Sequence, residues 1–204
     1  ESLSLAKGAG LHPADLSEPD LRTAYTAYQA QLTAYGAGDY DDLLFDCLTW
    51  LTTEPDAALQ MQQRFPYVLV DEFQDVNAVQ YRLVKLLAGA GQGLFVIGDP
   101  DQAIYSFRGA DPRYFQQLRN DFPQAQLFQL ATNYRSTAPL IASLNAMFAP
   151  DAAASLLTGA NCSQAAVLCG RPTLRFHDAA GQELPPVCLL QLVPKSMNVA
   201  TVRR

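Results

Sequence analysis

Several features that mark other protein classes are missing from this chain of 204 residues. No apolar run approaches the roughly 18 residues of a membrane-spanning helix, and the first residues lack the basic start and long apolar stretch of a signal peptide. The four cysteines include no C-x-x-C pair, and their spacings match no common zinc pattern. These absences argue against a membrane, secreted or zinc-binding protein and predict a cytoplasmic one.

Positive charge is also scarce, because the formal net charge is −6. That value argues against a free-standing nucleic-acid-binding domain. The balance differs along the chain: residues 1–76 hold 13 acidic and 3 basic side chains, and residues 77–204 hold 7 and 11. Only the second part has the charge to face a phosphate backbone.

Two short apolar runs, Tyr67–Val70 and Leu94–Ile97, flank a segment that has helical periodicity from about 77 to 88. Further helices are predicted at about 20–35, 39–51, 56–64, 111–122 and 136–148, and further strands at about 126–130, 173–177 and 187–193. Alternating strands and helices up to about residue 148 predict an α/β fold with a parallel sheet.

Polar residues follow both apolar runs: Asp71 and Glu72 the first, and a Gly-Asp-Pro-Asp-Gln segment ending at Gln102 the second. Ligands bind outside the carboxyl ends of strands in open parallel sheets. Asp71 could hold Mg²⁺, Glu72 could deprotonate an attacking water, and Gln102 could sense a γ-phosphate. The simpler alternative is that an Asp after a strand caps the next helix.

Two further groups suggest ligand contacts. Tyr105 and Phe107 beside Arg108 have the composition of a site that stacks single-stranded bases, although the rings could equally be loop core. Tyr134 could stack on an adenine and Arg135 could reach a γ-phosphate from a second domain. The alternative for Arg135 is a surface ion pair of little energetic value.

Three segments resemble consecutive motifs of UvrD/Rep-type superfamily 1 DNA helicases, in order and in spacing. They read V-D-E-F-Q-D at 70–75, V-I-G-D-P-D-Q-A-I-Y-S-F-R-G-A at 96–110 and N-Y-R-S at 133–136. Y-D-D-L-L at 40–44 resembles the segment that precedes them in that family. The resemblance covers about residues 3–148 and continues weakly to about 177.

The resemblance implies an ATP-dependent enzyme that uses ATP and Mg²⁺. Asp71 would coordinate Mg²⁺ and Glu72 would be the catalytic base. Gln102 would couple the γ-phosphate to the DNA site. Tyr134 would lie over the adenine, and Arg135 would reach the γ-phosphate from the second motor domain.

The resemblance also implies 3′→5′ movement on single-stranded DNA, unwinding at duplex junctions and a place in DNA repair. Tyr105 and Phe107 would stack on or pack beside the DNA, and Arg108 would support that loop or touch the backbone. The family usually has Trp at the position of Phe107, which predicts weaker stacking there.

The resemblance implies an incomplete RecA-like, P-loop NTPase helicase core, because no G-x-x-x-x-G-K-[S/T] occurs in these residues. The family's phosphate loop would lie upstream and its last motifs downstream. Residues 1–38 would belong to a helical accessory insertion, 39–131 to the first motor domain and 132–204 to the start of the second. After about residue 177 the sequence departs from the family's acidic helix.

This chain alone is therefore expected to be inactive, as a segment of a longer parent helicase. Two alternatives stay open from the sequence. The chain could be a non-catalytic truncated module that serves in protein interaction or weak DNA binding, or it could be part of a helicase–nuclease subunit.

Overall fold

The computed structural model describes residues 2–148, 167–175, 177 and 179–183. The chain divides into two compact units, Glu1–Gln126 and Leu127–Arg204. The described part of the first unit contains helices and two strands, joined by short turns. The helices are α1 (Ser2–Gly8), α2 (Pro19–Ala34), α3 (Tyr40–Thr53), α4 (Pro55–Arg64), α5 (Ala78–Ala88) and α6 (Tyr114–Asp121), and the strands are β1 (Val68–Val70) and β2 (Leu94–Val96).

The two strands are parallel and are connected through α5, as the apolar runs predicted. Val68 pairs with Leu94, and Val70 pairs with Val96. Side chains alternate between faces along a strand, so Val70 and Val96 pack against a core cluster of Phe73, Val76 and Tyr81. The α/β prediction is confirmed at this level, with mixed helices and short parallel strands.

Helices α3 and α5 pack on each other through the largest helical core of this unit. Its buried members are Leu48, Leu51, Val79 and Leu83. Local caps fix where both helices begin. The Asp39 side chain accepts from the Asp42 amide, and the Asn77 side chain accepts from the Gln80 amide. Each N3 side chain bonds back to the cap residue, which is the reciprocal arrangement of a capping box.

A buried lysine connects α1 to the start of α3. Lys7 Nζ lies 2.7 Å from both Asp39 Oδ2 and Asp42 Oδ1, and its side chain is 1% exposed. Tyr28 donates to Asp39, and Gln29 donates to Asp42. Asp39 and Asp42 also lie at the start of α3, where acidic side chains are favoured by the helix dipole.

The charges in this cluster support each other. Burial disfavours the charged form of Lys7, but the bonds to Asp39 and Asp42 outweigh that effect and raise the pKa of the ammonium. Burial likewise opposes the charge of Asp39, but hydrogen bonds from Lys7, the Asp42 amide and Tyr28 lower the pKa of its carboxyl. The cluster is therefore an ion pair across the helices at neutral pH.

The second unit, in its described residues, has two short parallel strands and one helix. The strands are β3 (Thr132–Asn133) and β4 (Leu168–Cys169), and the helix is α7 (Ala138–Phe148). The Asn145 side chain bonds both the amide and the carbonyl of Val167. These two bonds fix the start of β4 against α7.

Three sequence-based boundaries were wrong. Residues 126–130 form no strand, and β3 lies at Thr132–Asn133 because β4 pairs there. Of the strand predicted at 173–177, residues 173–175 form no strand, because residues 172–173 form a turn and the Arg175 guanidinium bonds the carbonyls of Pro172 and Leu174. His177, by contrast, makes an antiparallel bridge to Glu183. The helix predicted from 111 begins at Tyr114, because the Asp111 side chain holds the Arg113 amide in a turn.

The strand predicted at 187–193 lies outside the described residues. Among the helices that the structure describes, none combines the length and the apolar character needed to cross a membrane.

Candidate functional site

The loops that follow β1 and β2 are joined at their first residues. The Ile97 amide donates to the Val70 carbonyl at 2.8 Å, and the Phe73 amide donates to the Ile97 carbonyl at 3.0 Å. These bonds extend the parallel pairing one step past the strands. They bring the Asp71–Glu72 pair beside the loop that begins at Gly98.

Glu72 has an unusual backbone conformation. Its φ of 51° and ψ of 43° lie in the left-handed region, and no other non-glycine residue of the described chain has a positive φ. Such a conformation costs about 1–3 kcal/mol and is found where the surrounding structure enforces it, often at functional sites. Here the Asp71 side chain accepts from the Glu72 amide at 2.9 Å.

A continuous series of hydrogen bonds runs from Glu72 to Gln102. Gln74 Nε2 donates to Glu72 Oε2 at 2.6 Å, and the Asp99 amide donates to Gln74 Oε1 at 3.0 Å. Gln102 Nε2 then donates to Asp99 Oδ2 at 2.8 Å. We refer to Glu72, Gln74, Asp99 and Gln102 as the strand-end relay. It connects two of the predicted site residues, while Asp71, Glu72 and Gln102 all remain exposed.

Tyr105, Phe107 and Arg108 form a second cluster on the loop that continues from Gln102. The two ring centroids are 5.7 Å apart, and the guanidinium carbon lies 5.5 Å from the Tyr105 centroid and 5.9 Å from that of Phe107. Phe107 is 55% exposed and Tyr105 is 37% exposed. The exposure contradicts the alternative in which both rings are loop core. An Arg held beside open ring faces is chemically suited to stacked bases and phosphates.

Tyr134 and Arg135 lie in the second unit. The Asn133 side chain accepts from the amides of Arg135 and Ser136 at 2.8 Å each, which shapes the turn between β3 and α7. Tyr134 is 60% exposed and its ring packs against Gly170, where a Cβ would lie 2.3 Å from Cδ1. Arg135 is also exposed. Both side chains are thus available to a ligand of this unit.

The described residues contain no group of three or more His, Cys, Asp or Glu side chains that converges on a metal position. Mg²⁺ does not require such a group, since it is commonly held by one or two carboxylates together with substrate phosphates and waters. The exposed Asp71 carboxylate at a strand end fits that mode. Cys47 and Cys169 are free thiols.

Two residues of this region were not predicted as site residues. Gln74 is 2% exposed, and the signal that the sequence offered was an amide side chain between two acidic positions of the V-D-E-F-Q-D segment. Gly98 is the second: a Cβ there would lie 2.7 Å from Gln74 Oε1 and 2.9 Å from the Phe73 amide nitrogen. The close approach of the two loops therefore requires glycine at 98.

Parallel strands with polar residues at their carboxyl ends define an α/β protein whose candidate ligand site lies at the strand ends. The sequence model of the UvrD/REP helicase N-terminal domain matches residues 2–123. The chain belongs to this family, and the resemblance inferred from the motifs is confirmed.

Three DNA helicases are similar to this chain over 60–71% of its length. A putative ATP-dependent DNA helicase, YjcD of Bacillus subtilis, is 40% identical over 126 residues, which is 62% of this chain and 17% of the relative. The ATP-dependent DNA helicase PcrA of Leuconostoc citreum is 38% identical over 152 residues, 71% of this chain and 20% of the relative. PcrA of Staphylococcus aureus is 42% identical over 123 residues, 60% and 17% respectively. The chain thus spans about a fifth of the length of these relatives.

Proposed function

We propose that this chain is a segment of an ATP-dependent DNA helicase whose parent couples ATP hydrolysis to 3′→5′ translocation on single-stranded DNA. The observation that carries the proposal is the strand-end relay, which connects Glu72 to Gln102 at the carboxyl ends of two parallel strands. Family membership and the relatives' activity support it. The proposal places the protein in the cytoplasm, on single-stranded DNA beside duplex junctions and in DNA repair.

The proposed domain assignment follows the family. Residues 39–131 belong to a RecA-like motor domain, residues 1–38 to its helical accessory insertion and residues 132–204 to the second motor domain. The β1–α5–β2 unit supports the first assignment, because its strand ends carry the polar residues that such a domain directs at a nucleotide.

In the proposed mechanism, Asp71 helps to hold Mg²⁺, which neutralises charge on the phosphates when bound. Glu72 orients the attacking water and accepts its proton. Gln102 contacts the γ-phosphate and couples the presence of that phosphate to the conformation of the loop that carries Tyr105 and Phe107. From the second motor domain, Tyr134 covers the adenine and Arg135 stabilises charge on the γ-phosphate.

The aromatic–arginine cluster is the proposed DNA contact. Replacing Phe107 by alanine in the parent helicase is expected to cost ~1–3 kcal/mol of single-strand affinity, because a base loses its stacking surface. The salt dependence should change little, since no charge is removed. Titrating fluorescent oligo-dT at several salt concentrations measures both quantities. Phe65→Ala is the control, because Phe65 is similarly exposed at 50% but lies outside the motif.

The companion variant Arg108→Ala separates stacking from phosphate contact. It removes a charge and leaves both rings, so it should flatten the dependence of affinity on salt. If Phe107→Ala binds DNA as tightly as the wild type and only lowers the melting temperature, the ring is packing and the DNA contact lies elsewhere.

The isolated chain is expected to show no DNA-stimulated ATP hydrolysis. Its 204 residues contain no Gly-rich loop with the Lys that cradles the β- and γ-phosphates. A coupled ATPase assay with and without oligo-dT, run beside the parent helicase, measures this. Turnover comparable to that of the parent would contradict the assignment of the chain as an incomplete motor. Oligonucleotide binding without turnover in the parent itself would favour the non-catalytic module.

A further inference from the structure

Gln74 uses both ends of its amide to join the two strand-end loops. Its nitrogen donates to Glu72 Oε2 at 2.6 Å, and its oxygen accepts from the Asp99 amide at 3.0 Å. A carboxylate can only accept a hydrogen bond and a backbone N–H can only donate one, so the two partners fix which end of the amide faces which loop. No aliphatic or acidic side chain can satisfy both partners.

The position of Gln74 leaves it little freedom. It lies in the short turn Phe73–Asp75 and is 2% exposed. Gly98 lies directly against its oxygen, where any larger residue would collide with Gln74 and with the Phe73 amide. Phe73 itself is fully buried and its amide is bonded to Ile97 of the other loop.

Glu72, by contrast, is exposed, and its backbone is held in the left-handed region. An exposed glutamate side chain samples several rotamers unless a neighbour restrains it. The short bond from Gln74 supplies that restraint on one carboxylate oxygen and leaves the other without a bond from this amide. The restraint originates in a buried residue that is also bonded to the Asp99 loop.

We propose that Gln74 is a positioning residue for ATP hydrolysis, which holds the Glu72 carboxylate in one orientation and ties that orientation to the Asp99–Gln102 loop. The proposal rests on the proposed role of Glu72 as catalytic base. As a consequence, a displacement of the Asp99–Gln102 loop changes the orientation of the Glu72 carboxylate through the buried side-chain amide of Gln74. Hydrolysis is thereby sensitive to the state of the adjoining aromatic–arginine loop.

The test replaces Gln74 by glutamate in the parent helicase. The new side chain retains an acceptor for the Asp99 amide but replaces the donor to Glu72 with a second carboxylate. We expect kcat for DNA-stimulated ATP hydrolysis to fall about 10–100-fold, the usual effect of losing a residue that orients an active-site group. KM for ATP should stay close to the wild-type value, whereas the melting temperature should fall, because a second carboxylate is buried beside Glu72. Gln62→Glu is the matched control, because Gln62 donates to the Leu86 carbonyl between α4 and α5; it should affect stability and not kcat.

A double variant distinguishes positioning from a general structural role. In the Glu72→Gln background no base remains to be oriented, so adding Gln74→Glu should lower kcat no further. Losses that multiply in the double variant would overturn the proposal. If Gln74→Glu fails to fold, Gln74→Met replaces it, with the same length and no charge, and is judged by the same criteria.

The remaining outcomes separate this proposal from the proposed function. If Glu72→Gln abolishes turnover while a folded Gln74 variant keeps wild-type kcat, Gln74 is not a positioning residue and the helicase function stands. If Glu72→Gln leaves turnover unchanged, the proposed function fails and the role of Gln74 fails with it.

Discussion

Replacing Glu72 by glutamine in the parent helicase is expected to lower ATP turnover about 10²–10⁴-fold, the range typical of removing a general base. The amide has nearly the same shape as the carboxylate but cannot accept the proton of the attacking water. Binding of ATP should remain nearly intact, because Glu72 is not assigned to the nucleotide or to Mg²⁺. Steady-state turnover with saturating oligo-dT and equilibrium binding of a fluorescent ATP analogue measure the two effects separately.

The exposed Glu54 offers a matched control for this substitution. It lies between α3 and α4, away from the strand ends, and Glu54→Gln makes the same chemical change. Its turnover should equal that of the wild type. An unchanged turnover number for Glu72→Gln would assign the Asp71–Glu72 pair a structural role, such as shaping the turn after β1.

The largest effect on stability is expected for Lys7→Met. Removing one partner of a buried ion pair typically costs about 3–5 kcal/mol, because the charge left behind is buried without compensation. Asp42 is 5% exposed and would lose its bond to the ammonium. Urea unfolding of the 204-residue chain, followed by the fluorescence of its only tryptophan, Trp50 in α3, measures the loss.

Lys85→Met is the control for this prediction. Lys85 pairs with Asp121 at the same distance of 2.7 Å, but its side chain is 40% exposed. An exposed pair of this kind contributes about 0–1 kcal/mol, so this variant should unfold almost as the wild type does. If both variants lose the same unfolding free energy, the burial of the Lys7 cluster is not the reason that it stabilises the fold.

The contribution of the Lys7 cluster should also depend on pH. The pKa of Asp39 is lowered below its ordinary value of 3.8 in the folded chain, so the unfolded chain binds the proton more readily. The stabilisation is therefore present above about pH 3.8 and is lost as the pH falls through the lowered pKa. The difference in unfolding free energy between wild type and Lys7→Met should shrink over the same interval. If the difference in unfolding free energy stays constant until the protein unfolds in acid, Asp39 is not the group that makes this stabilisation depend on pH.

Much of the fold could be predicted because its signals are local. The caps at Asp39 and Asn77 use residues three positions away, so a short stretch of sequence is enough to locate the starts of α3 and α5. The strand ends were equally accessible, since each apolar run is followed directly by its polar residues. Asp71, Glu72 and Gln102 could be selected as candidates on that ground before any contact between them was known.

The strand boundaries show where local signals fail. Residues 126–130 include apolar side chains and resemble a strand, yet Leu127, Phe128 and Leu130 are exposed. None of the strands that the structure describes pairs with them. Thr132 and Asn133 form β3 because Leu168 and Cys169 lie beside them. A strand exists only where a partner supplies hydrogen bonds, and that partner is distant along the chain.

The β1–α5–β2 order, the family and the polar residues at the strand ends follow from the residues alone, because each depends on neighbouring positions or on short motifs. How those residues are joined depends on the packing of distant parts of the chain. Gln74 meets the Asp99 amide from 25 positions away, and Lys7 meets Asp39 and Asp42 from 32 and 35 positions away. These contacts form because packing removes the groups from water and leaves them only one another as hydrogen-bond partners. Hydrophobic periodicity and motif spacing carry no information about that choice.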